Sequence, residues 1–379
     1  MSPRPKVFIC IATNEIGGPG KGLLQFLRCG GLEVCDTVIV GFSVNDIKSE
    51  FDLIIENVDV PFKLLKQRVI YDPLLLPQAY TIFKSNSLNI LQSHGYKSHV
   101  ICLFLKVLTG NPWVAFFHGW VSGGKKIKFY NYLEKYLLKF ADKVVAVSEG
   151  MVNGLNTVWI GKEKINIIYN AVDPNEYSSY APTIKIREQY RINNAAPLVA
   201  VVGRFSPEKG HRYFVEALPK ILKVFPGLKT LFIGDGPLKK ELQQQINQAG
   251  LKSKVIFTGY QSNVQDFFRE IDLIVLPSLS EGMPNVALEA MLFQKPVVAT
   301  RVGGVPEVVL DGETGILVDP KNSEQLAEAA IRLFKNRKTL HEFGMAGKCR
   351  VLKEFSSEER IKKIARLYNE VLRNNPKSR

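Results

Sequence analysis

Two carboxylates and two cations are the groups in this sequence whose types and spacing could carry out chemistry. Glu281 and Glu289 are eight residues apart, and Glu281 lies in a turn that follows the apolar run at residues 273–276. Arg204 and Lys209, five residues apart, follow another apolar run. A carboxylate can accept hydrogen bonds from two sugar hydroxyls, and paired cations can stabilise the charge of a departing diphosphate. These residues predict a site for a ligand that carries both groups.

A strand, a turn and a helix must position the two carboxylates. The run at residues 273–276 is short, uninterrupted and followed by Pro277, as expected for a strand that is covered on both faces. Pro284 stands where a helix would begin, and Pro296 ends the helix-forming residues that follow. The free N–H groups and the positive end of such a helix suit a diphosphate. Two solvated acids, one in a loop and one on a helix surface, are the alternative that spacing alone leaves open.

The stretch at residues 278–304 resembles the EX7E motif of retaining glycosyltransferases with the GT-B fold, most closely those of glycosyltransferase family 4. In that family the first acid and the backbone after it hold the donor sugar, and the second acid binds the ribose. The resemblance implies the ribose-binding role for Glu289. It implies the sugar-binding role for five consecutive residues: Glu281, Gly282, Met283, Pro284 and Asn285.

Further resemblances lie at strand ends in the second half of the chain. The sequence GRFSPEK is similar to the family's GR-x4-K segment, which implies that Arg204 and Lys209 neutralise the donor phosphates. Residues 231–237 and 255–260 look like the family's nucleotide-base and ribose rim, although ordinary turn glycines are equally open. Residues 302–307 close this rim, and their paired glycines permit a close backbone approach to the donor. The rim residues assigned to donor binding are Gly234, Gly259 and Tyr260.

Glycines and histidines carry the resemblance in the first half of the chain. Residues 17–22 fit neither a dinucleotide fingerprint nor a P-loop. They resemble the family's glycine-pair loop, whose backbone amides face the donor phosphate or the acceptor, and Gly17 and Gly18 are assigned to donor binding on this resemblance. A tight strand-to-helix turn is the alternative. His118 matches the family's cleft histidine, which helps to orient the donor sugar, with a structural histidine as the alternative. His94 ends another apolar run and is expected on the acceptor side.

Two other classes of site are disfavoured. Residues 119–126 fit G-x4-G-K, but Lys126 stands where a phosphate loop needs Ser or Thr for magnesium, which argues against an ATPase or a kinase. The chain has no Asp-x-Asp pair, through which glycosyltransferases of the other major fold usually hold a metal-bound nucleotide. We therefore expect no metal and no cofactor besides the nucleotide-sugar co-substrate. The resemblance implies retention of configuration, with the leaving phosphate as the base.

Composition and cysteine usage bound the class of protein. The 379 residues are 46% hydrophobic and 23% charged, which is typical of a soluble globular protein with two domains. No apolar run approaches the roughly 18 residues of a membrane span, and no signal-peptide pattern is present. The five cysteines form no CxxC motif, which indicates reduced thiols rather than disulfides or a zinc site. We expect a cytoplasmic protein.

The net charge of +14 is distributed unevenly along the sequence. Residues 60–143 carry twelve Lys and Arg against three acids, which suggests an anionic partner, either lipid headgroups or nucleic acid. Residues 125–143 combine six lysines with five aromatics and predict a helix that rests on an anionic membrane surface, with a solvated lysine face as the alternative. Peripheral association with the inner face of the membrane is therefore expected. No recognition motif for nucleic acid is present, so nucleic acid is not an expected partner.

Alternating strand and helix signals predict an α/β fold in both halves of the chain. The family resemblance implies a GT-B fold, in which two Rossmann-like, doubly wound parallel-sheet domains face each other across a cleft. The predicted domains are an acceptor-binding domain at residues 1–176, a donor-binding domain at 177–355, and a terminal helix at 356–379 that crosses back. Strand-like runs lie at residues 7–12, 37–40, 53–55, 89–92, 113–117, 144–147, 165–168, 198–202, 230–233, 255–257, 273–276, 297–299 and 316–318.

The sequence therefore predicts a retaining hexosyltransferase that uses a nucleotide-diphosphate sugar. Its acceptor would be a glycan or lipid-linked sugar in cell-envelope or exopolysaccharide assembly. A nucleotide-sugar epimerase or another GT-B enzyme is the runner-up. A basic polyanion-binding protein is the non-enzymatic alternative, disfavoured because the acids and cations gather at strand ends.

Overall fold

The computed structural model describes residues 4–13, 17–45, 47–69, 72–119, 125–156, 160–175 and 185–375. Two compact units make up the chain: Met1–Ala171 together with Ser357–Arg379, and Val172–Ser356. The boundary expected near residue 177 lies outside the described residues, and the contacts divide the chain between Ala171 and Val172.

A parallel sheet of seven strands forms the centre of the first unit. Its strands in chain order are β1 (Lys6–Ile11), β2 (Asp36–Val44), β3 (Phe62–Gln67), β4 (Ile90–His94), β5 (Trp113–Phe117), β6 (Lys143–Ala146) and β7 (Ile165–Ile167). The order across the sheet is β3-β2-β1-β4-β5-β6-β7, and neighbouring strands are parallel. Strands β4 and β5 are buried along their whole length because helices cover both faces.

Helices connect these strands as a parallel sheet requires. They are α1 (Gly18–Phe26), α2 (Leu32–Val34), α3 (Glu50–Ile55), α4 (Leu75–Ser85), α5 (Tyr96–Thr109), α6 (Lys125–Leu138) and α7 (Glu149–Asn156). This alternation confirms the α/β prediction for the first half.

One predicted strand, at residues 53–55, is wrong, because this segment is the end of helix α3. A capping box starts the helix: the backbone N–H of Asp52 donates to the Ser49 hydroxyl, and the N–H of Ser49 donates to the Asp52 carboxylate. Phe51 and Ile55, four residues apart, therefore share the buried face of this helix. Strand β3, at the edge of the sheet, was not predicted.

The second unit holds a parallel sheet of six strands. In chain order they are β8 (Leu198–Val202), β9 (Lys229–Ile233), β10 (Val255–Gly259), β11 (Leu273–Leu276), β12 (Val297–Thr300) and β13 (Gly315–Val318). The order across the sheet is β10-β9-β8-β11-β12-β13, again with parallel neighbours. All six strands were predicted, with differences only at their ends, which confirms the doubly wound architecture.

The helices of the second unit alternate with these strands, and one last helix follows. They are α8 (Ile186–Gln189), α9 (His211–Val224), α10 (Lys239–Gln248), α11 (Val264–Glu270), α12 (Asn285–Leu292), α13 (Val305–Val308), α14 (Ser323–Lys335), α15 (Arg337–Glu354) and α16 (Ser357–Arg373). In the part of the chain that the structure describes, no helix has both the length and the apolar character needed to span a bilayer.

Helix α16 belongs to the first unit although it ends the chain. Its apolar face joins the core that surrounds strand β1, and five of its residues take part: Ile361, Ile364, Leu367, Tyr368 and Val371. The guanidinium of Arg360, which is also buried, donates to the backbone oxygen of Gly22 at 2.7 Å. The C-terminal helix is therefore an integral part of the first core.

Candidate active site

The strand order of the second sheet reverses between β8 and β11, which are neighbours in the sheet but not in the chain. In doubly wound sheets the loops that follow such strands form the usual ligand-binding crevice. The loop after β8 contains Arg204 and ends in a short 3-10 turn, Pro207–Lys209. The loop after β11 contains Ser278 and Glu281. The two loops are tied together by the backbone, since the N–H of Leu279 donates to the carbonyl of Glu208 at 2.7 Å.

The carboxylate of Glu281 is held by two donors. The Lys209 ammonium lies 2.7 Å from its Oε1, and the hydroxyl of Ser278 donates to the same oxygen at 2.7 Å. The Glu281 side chain is only 9% exposed, whereas that of Lys209 is 30% exposed. The structure therefore brings together two residues that the sequence assigned to phosphate and to sugar. Ser278, which completes the group, was not predicted.

The backbone of Glu281 is packed against the turn after β12. Gly303 adopts a φ of +49°, and a Cβ built there would lie 1.8 Å from the carbonyl oxygen of Glu281. The N–H of Gly304 donates to the carbonyl of Gly282 at 3.1 Å. The paired glycines were expected to let the backbone approach the donor; the approach that the structure contains is to the backbone of Glu281. Only glycine fits position 303.

Glu289 lies in helix α12 and is 6% exposed. This burial contradicts the alternative in which Glu289 is a surface charge, because an acid is rarely buried without a structural or binding role. Pro284 is the N-cap residue of the helix and provides no side-chain cap. The buried Oδ1 of Asn285 has no hydrogen-bond partner among the described residues, and Met283 is buried beside this turn.

The remaining donor residues lie around the ends of β9 and β10. Gly234 has a φ of +142°, and a Cβ there would lie 2.1 Å from the carbonyl oxygen of Gly203. Its N–H donates to the carbonyl of Gly259 at 2.9 Å, so the two predicted rim glycines are in direct contact. Gly259 itself, with a φ of +75°, faces open space. Tyr260 is 59% exposed, and Arg204 is exposed in the loop after β8.

In the first unit, the two histidines form a pair at the ends of β4 and β5. Nδ1 of His94 lies 2.9 Å from Nε2 of His118, and the rings stack with their centroids 5.1 Å apart. The other nitrogen of His94, Nε2, lies 2.8 Å from the amide nitrogen of Gln92. His94 was expected to line the acceptor side. It is buried, and both of its ring nitrogens lie against protein groups.

Both imidazoles are neutral at physiological pH. Burial, with the nearby Arg360 cation as the second cause, lowers the pKa of His118 to about 3. Burial also lowers the pKa of His94 well below its usual value, with His118 as the next cause. A neutral histidine carries one N–H donor and one acceptor nitrogen. The pair can therefore orient a hydroxyl but holds no positive charge.

Gly17 and Gly18 lie at the start of helix α1, where Gly17 is an exposed N-cap residue in an extended conformation. Gly17 has no side chain that could cap this helix end, and no capping side-chain hydrogen bond is found there among the described residues. Residues 14–16 and, of the G-x4-G-K match, residues 120–124 lie outside the described residues. No group of His, Cys, Asp and Glu side chains suited to a metal occurs within the described ranges.

Aromatic side chains protrude from helix α6 and the turn after it. Their spacing of three or four residues places them along one face. They are Phe129 at 59% exposed, Tyr132 at 70%, Tyr136 at 52% and Phe140 at 43%. The sequence predicted an amphipathic helix with outward lysines, and the structure adds a row of outward aromatics.

Sequence reasoning missed the polar partners of the histidine pair. Gln92 is buried on β4, and its Oε1 accepts a hydrogen bond from the hydroxyl of Tyr368 on α16. The signal was present, because Gln92 and His94 are two residues apart in an apolar strand and therefore share a face. Nothing in the sequence pointed to Tyr368, which is 276 positions away.

Two family models match this chain. The model for glycosyl transferases group 1 matches residues 182–350, and the model for glycosyltransferase family 4 matches residues 31–176. Two curated relatives match it over most of their length. N-acetyl-alpha-D-glucosaminyl L-malate synthase of Bacillus anthracis is 29% identical, covering 80% of this chain and 80% of that protein. UDP-Gal:alpha-D-GlcNAc-diphosphoundecaprenol alpha-1,3-galactosyltransferase of Escherichia coli is 24% identical, covering 81% of each.

A solved structure shares this fold. The crystal structure of Anabaena HepE in complex with UDP-glucose has a TM-score of 0.84 against this chain, at 22% sequence identity. The similarity covers 96% of this chain and 99% of that one. At this level of identity the likeness shows a common fold.

Proposed function

We propose that this chain, which belongs to the GT-B glycosyltransferases of family 4, transfers a hexosyl group from a nucleotide-diphosphate sugar to a glycan or lipid-linked sugar. The observation that carries the proposal is the group of Lys209, Glu281 and Ser278 at the reversal point of the second sheet. A cation and an acid that lie side by side at this point suit the two parts of such a donor, its phosphates and its hydroxyls.

We assign the donor phosphates to cations and backbone N–H groups. Lys209 is partly exposed beside Glu281, and Arg204 is exposed in the same loop. Helix α12 begins after Pro284, whose side chain cannot cap it, so the N–H groups of its first turn can face an anion. In this proposal the two cations stabilise the charge that develops on the leaving diphosphate, and transfer needs neither a metal nor a cofactor.

We assign the sugar and the ribose to the two acids. Glu281 has one oxygen engaged by Lys209 and Ser278, which leaves its other oxygen for sugar hydroxyls. The backbone from Gly282 to Asn285 continues this contact, and the unpartnered Oδ1 of Asn285 supplies an acceptor. Glu289, which is buried within α12, binds the ribose in this assignment.

We further propose that transfer retains the anomeric configuration. The acceptor hydroxyl would attack the face that the leaving group vacates, and the leaving phosphate would take its proton. His118 fits a positioning role in this scheme, since an imidazole whose pKa is about 3 stays neutral and does not collect a proton at neutral pH. It would orient a hydroxyl of the donor sugar by a hydrogen bond.

The proposed acceptor and the proposed membrane contact are connected, because a lipid-linked acceptor is presented at a membrane surface. The curated relative in Escherichia coli is named for a diphosphoundecaprenol-linked acceptor, and the row of exposed aromatics on α6 offers an apolar face beside lysines. Aromatic side chains with neighbouring lysines are typical of segments that lie in the interface of an anionic bilayer. We propose that α6 holds the enzyme on the cytoplasmic surface where a lipid-linked acceptor is presented.

Titration calorimetry with UDP, GDP and ADP tests the donor site. One diphosphate should bind to the wild type, and Glu289→Ala should weaken it by about tenfold, the equivalent of one lost charged hydrogen bond. The matched control is Glu313→Ala, an exposed acid in the same unit. If no diphosphate binds to the wild type, or if both variants bind equally well, the assignment of Glu289 fails.

The transfer itself needs a second experiment. The pure enzyme is incubated with nucleotide sugars that carry the preferred nucleotide and with candidate lipid-linked acceptors, in the presence and in the absence of EDTA. The anomeric proton of the product is followed by NMR. A product with the donor's configuration, formed in EDTA, supports the proposal. An inverted product, a loss of activity in EDTA, or epimerisation of the donor without an acceptor would contradict it.

A further inference from the structure

A buried chain of polar side chains connects the C-terminal helix to His118. The hydroxyl of Tyr368 donates to Oε1 of Gln92, the amide nitrogen of Gln92 lies 2.8 Å from Nε2 of His94, and Nδ1 of His94 lies 2.9 Å from Nε2 of His118. Tyr368, Gln92 and His94 are at most 4% exposed. All four residues belong to the first unit.

The direction of each hydrogen bond in this series of side chains follows from the direction of the first one, which Tyr368 makes. Burial raises the pKa of Tyr368 well above its usual value, so the phenol keeps its proton, and the oxygen that lies against it, Oε1 of Gln92, can only accept. Its acceptor is Oε1 of Gln92, which turns the amide N–H groups of Gln92 toward His94. An amide nitrogen can only donate. Nε2 of His94 is therefore an acceptor and carries no proton.

The same argument determines which ring nitrogen of His118 carries the proton. A neutral imidazole has one proton, so His94 must carry it on Nδ1 and donate it to Nε2 of His118. Nε2 of His118 is then an acceptor as well, and its proton lies on Nδ1. The opposite arrangement would place two N–H groups, or two lone pairs, against each other inside the protein, at the cost of an unmade buried hydrogen bond.

We propose that Tyr368, Gln92 and His94 are positioning residues that hold His118 in the Nδ1–H tautomer, so that it offers the substrate a fixed hydrogen-bond donor. The proposal rests on the proposed function of His118 as the group that orients the donor sugar. It gives helix α16 a role in catalysis: the last helix of the chain sets the protonation pattern of a histidine at the end of strand β5.

The tautomers can be measured directly by NMR on the full-length protein labelled with ¹⁵N-histidine. Two-bond ¹H–¹⁵N correlations distinguish a protonated ring nitrogen from an unprotonated one, and the five histidines are assigned by single substitution. In the wild type, both His94 and His118 should show a protonated Nδ1 and an unprotonated Nε2. A protonated Nε2 on His118 would overturn the proposal.

Two variants test the origin of the preference. Tyr368→Phe removes the donor that fixes the Gln92 amide, and Gln92→Met removes the amide itself with little change in volume. In both, the two histidines should shift toward the Nε2–H tautomer or a mixture. The matched control is Ser93→Ala, which removes a buried hydroxyl bonded to His99 and Trp113 from the other face of β4. It should change the His99 signals alone. Unchanged tautomers in both test variants would overturn the proposal.

Binding separates this inference from the proposed function. Tyr368→Phe should weaken binding of a nucleotide sugar, tried as UDP-glucose and GDP-mannose, by about fivefold, comparable to one net hydrogen bond. Its affinity for the free diphosphate should stay within twofold of the wild-type value, because Arg204, Lys209 and the start of α12, which the proposal assigns to the phosphates, lie in the second unit. If the tautomers change as expected but no nucleotide sugar binds even to the wild type, the positioning of His118 by these side chains is supported and the proposed transfer fails. Equal weakening of diphosphate and nucleotide sugar would contradict the role given to Tyr368.

Discussion

Lys209 and Glu281 are 72 positions apart in the sequence, and their side chains meet at 2.7 Å between Nζ and Oε1. The contact joins the loop after β8 to the loop after β11, the two strands between which the sheet order reverses. A cation that is already paired with an acid must share its charge when a diphosphate arrives. Because the Glu281 carboxylate and the diphosphate compete for the Lys209 ammonium, substitutions of Lys209 and of Glu281 should affect diphosphate binding differently.

Replacing the members of this pair should have opposite effects on diphosphate binding. Lys209→Ala removes a cation that stabilises the leaving group and should lower kcat by about 10²-fold, with weaker binding of the diphosphate. Glu281→Gln removes the competing carboxylate and should tighten diphosphate binding by up to about fivefold, since a partly exposed ion pair is worth up to about 1 kcal/mol. The same change should lower turnover, because a sugar contact is lost. Calorimetry and initial rates measure both effects.

The control for this pair is Lys220→Ala, since Lys220 pairs with Glu324 and Glu328 on the surface of the same unit. It should leave both quantities unchanged. Weaker diphosphate binding in Glu281→Gln would show that the carboxylate does not compete with the ligand for Lys209.

A second prediction concerns the glycine that supports Glu281. Gly303→Ala would place a Cβ 1.8 Å from the carbonyl oxygen of Glu281, at a φ of +49°. The backbone must move, and we expect a loss of about 3 kcal/mol in the free energy of unfolding, from left-handed strain and overpacking together. Because the displaced group is the Glu281 backbone, turnover should fall as well. Urea denaturation and rate measurements test this.

Gly312→Ala is the matched control for that substitution. Gly312 also has a positive φ, +78°, but a Cβ there meets nothing within 4 Å. It should lose only about 1 kcal/mol, from the backbone conformation alone, and keep its turnover. Equal losses in the two variants would mean that the contact with Glu281 carries no cost.

The two sheets show which kinds of strand can be predicted from the sequence. Strands β8 and β11 were predicted to the residue, because a strand buried on both faces is a continuous apolar run that a turn ends. Strand β3 at the sheet edge has three polar residues among its six, which leaves no continuous apolar run, and it was missed. The segment at residues 53–55 is apolar enough for a strand, but the capping box of Ser49 and Asp52 decides for a helix.

The candidate site also contains residues that the sequence predicts and residues that it does not. Strand ends predict where Lys209 and Glu281 lie, because the carboxyl ends of parallel strands share one edge of the sheet. The bond from Tyr368 to Gln92 depends on where helix α16 packs, and no local pattern encodes that. His94 was given an acceptor role from its position at a strand end, whereas its actual partners come from side-chain packing.

A third prediction concerns pH and the buried His211, the first residue of α9. Its ring packs edge-on against Phe205 with centroids 5.0 Å apart, and neither ring nitrogen has a hydrogen-bond partner among the described residues. Burial, with the Lys209 cation as the second cause, lowers its pKa to about 3. Between pH 6.5 and about 3 the unfolded chain binds this proton and the folded chain does not. The His211 contribution to stability should therefore fall with decreasing pH, by about 1.4 kcal/mol per unit.

His211→Phe tests this prediction, because it keeps a ring and removes the titration. The free energy of unfolding should depend on pH less steeply by that amount below pH 6.5. At pH 7 the variant should be as stable as the wild type or about 1 kcal/mol more stable, since it removes unpaired buried polar atoms. His341→Gln on α15, an exposed position, is the control. An unchanged pH slope in His211→Phe would contradict the burial of a neutral histidine.

The last prediction separates the aromatic and the basic contributions of helix α6 to membrane binding. Phe129→Ser combined with Tyr132→Ser removes two exposed rings without changing charge, and should reduce co-sedimentation with anionic vesicles by about tenfold or more, since each buried aromatic contributes about 1–2 kcal/mol. The reduction should persist at high salt, where screening weakens the attraction of the lysines. Tyr80→Ser on α4, which also replaces an exposed ring, is the control and should bind like the wild type. If the wild type itself does not sediment with anionic vesicles, or if the double variant binds as well as the control, then the exposed aromatic row serves another purpose and the enzyme meets its acceptor without resting on the bilayer.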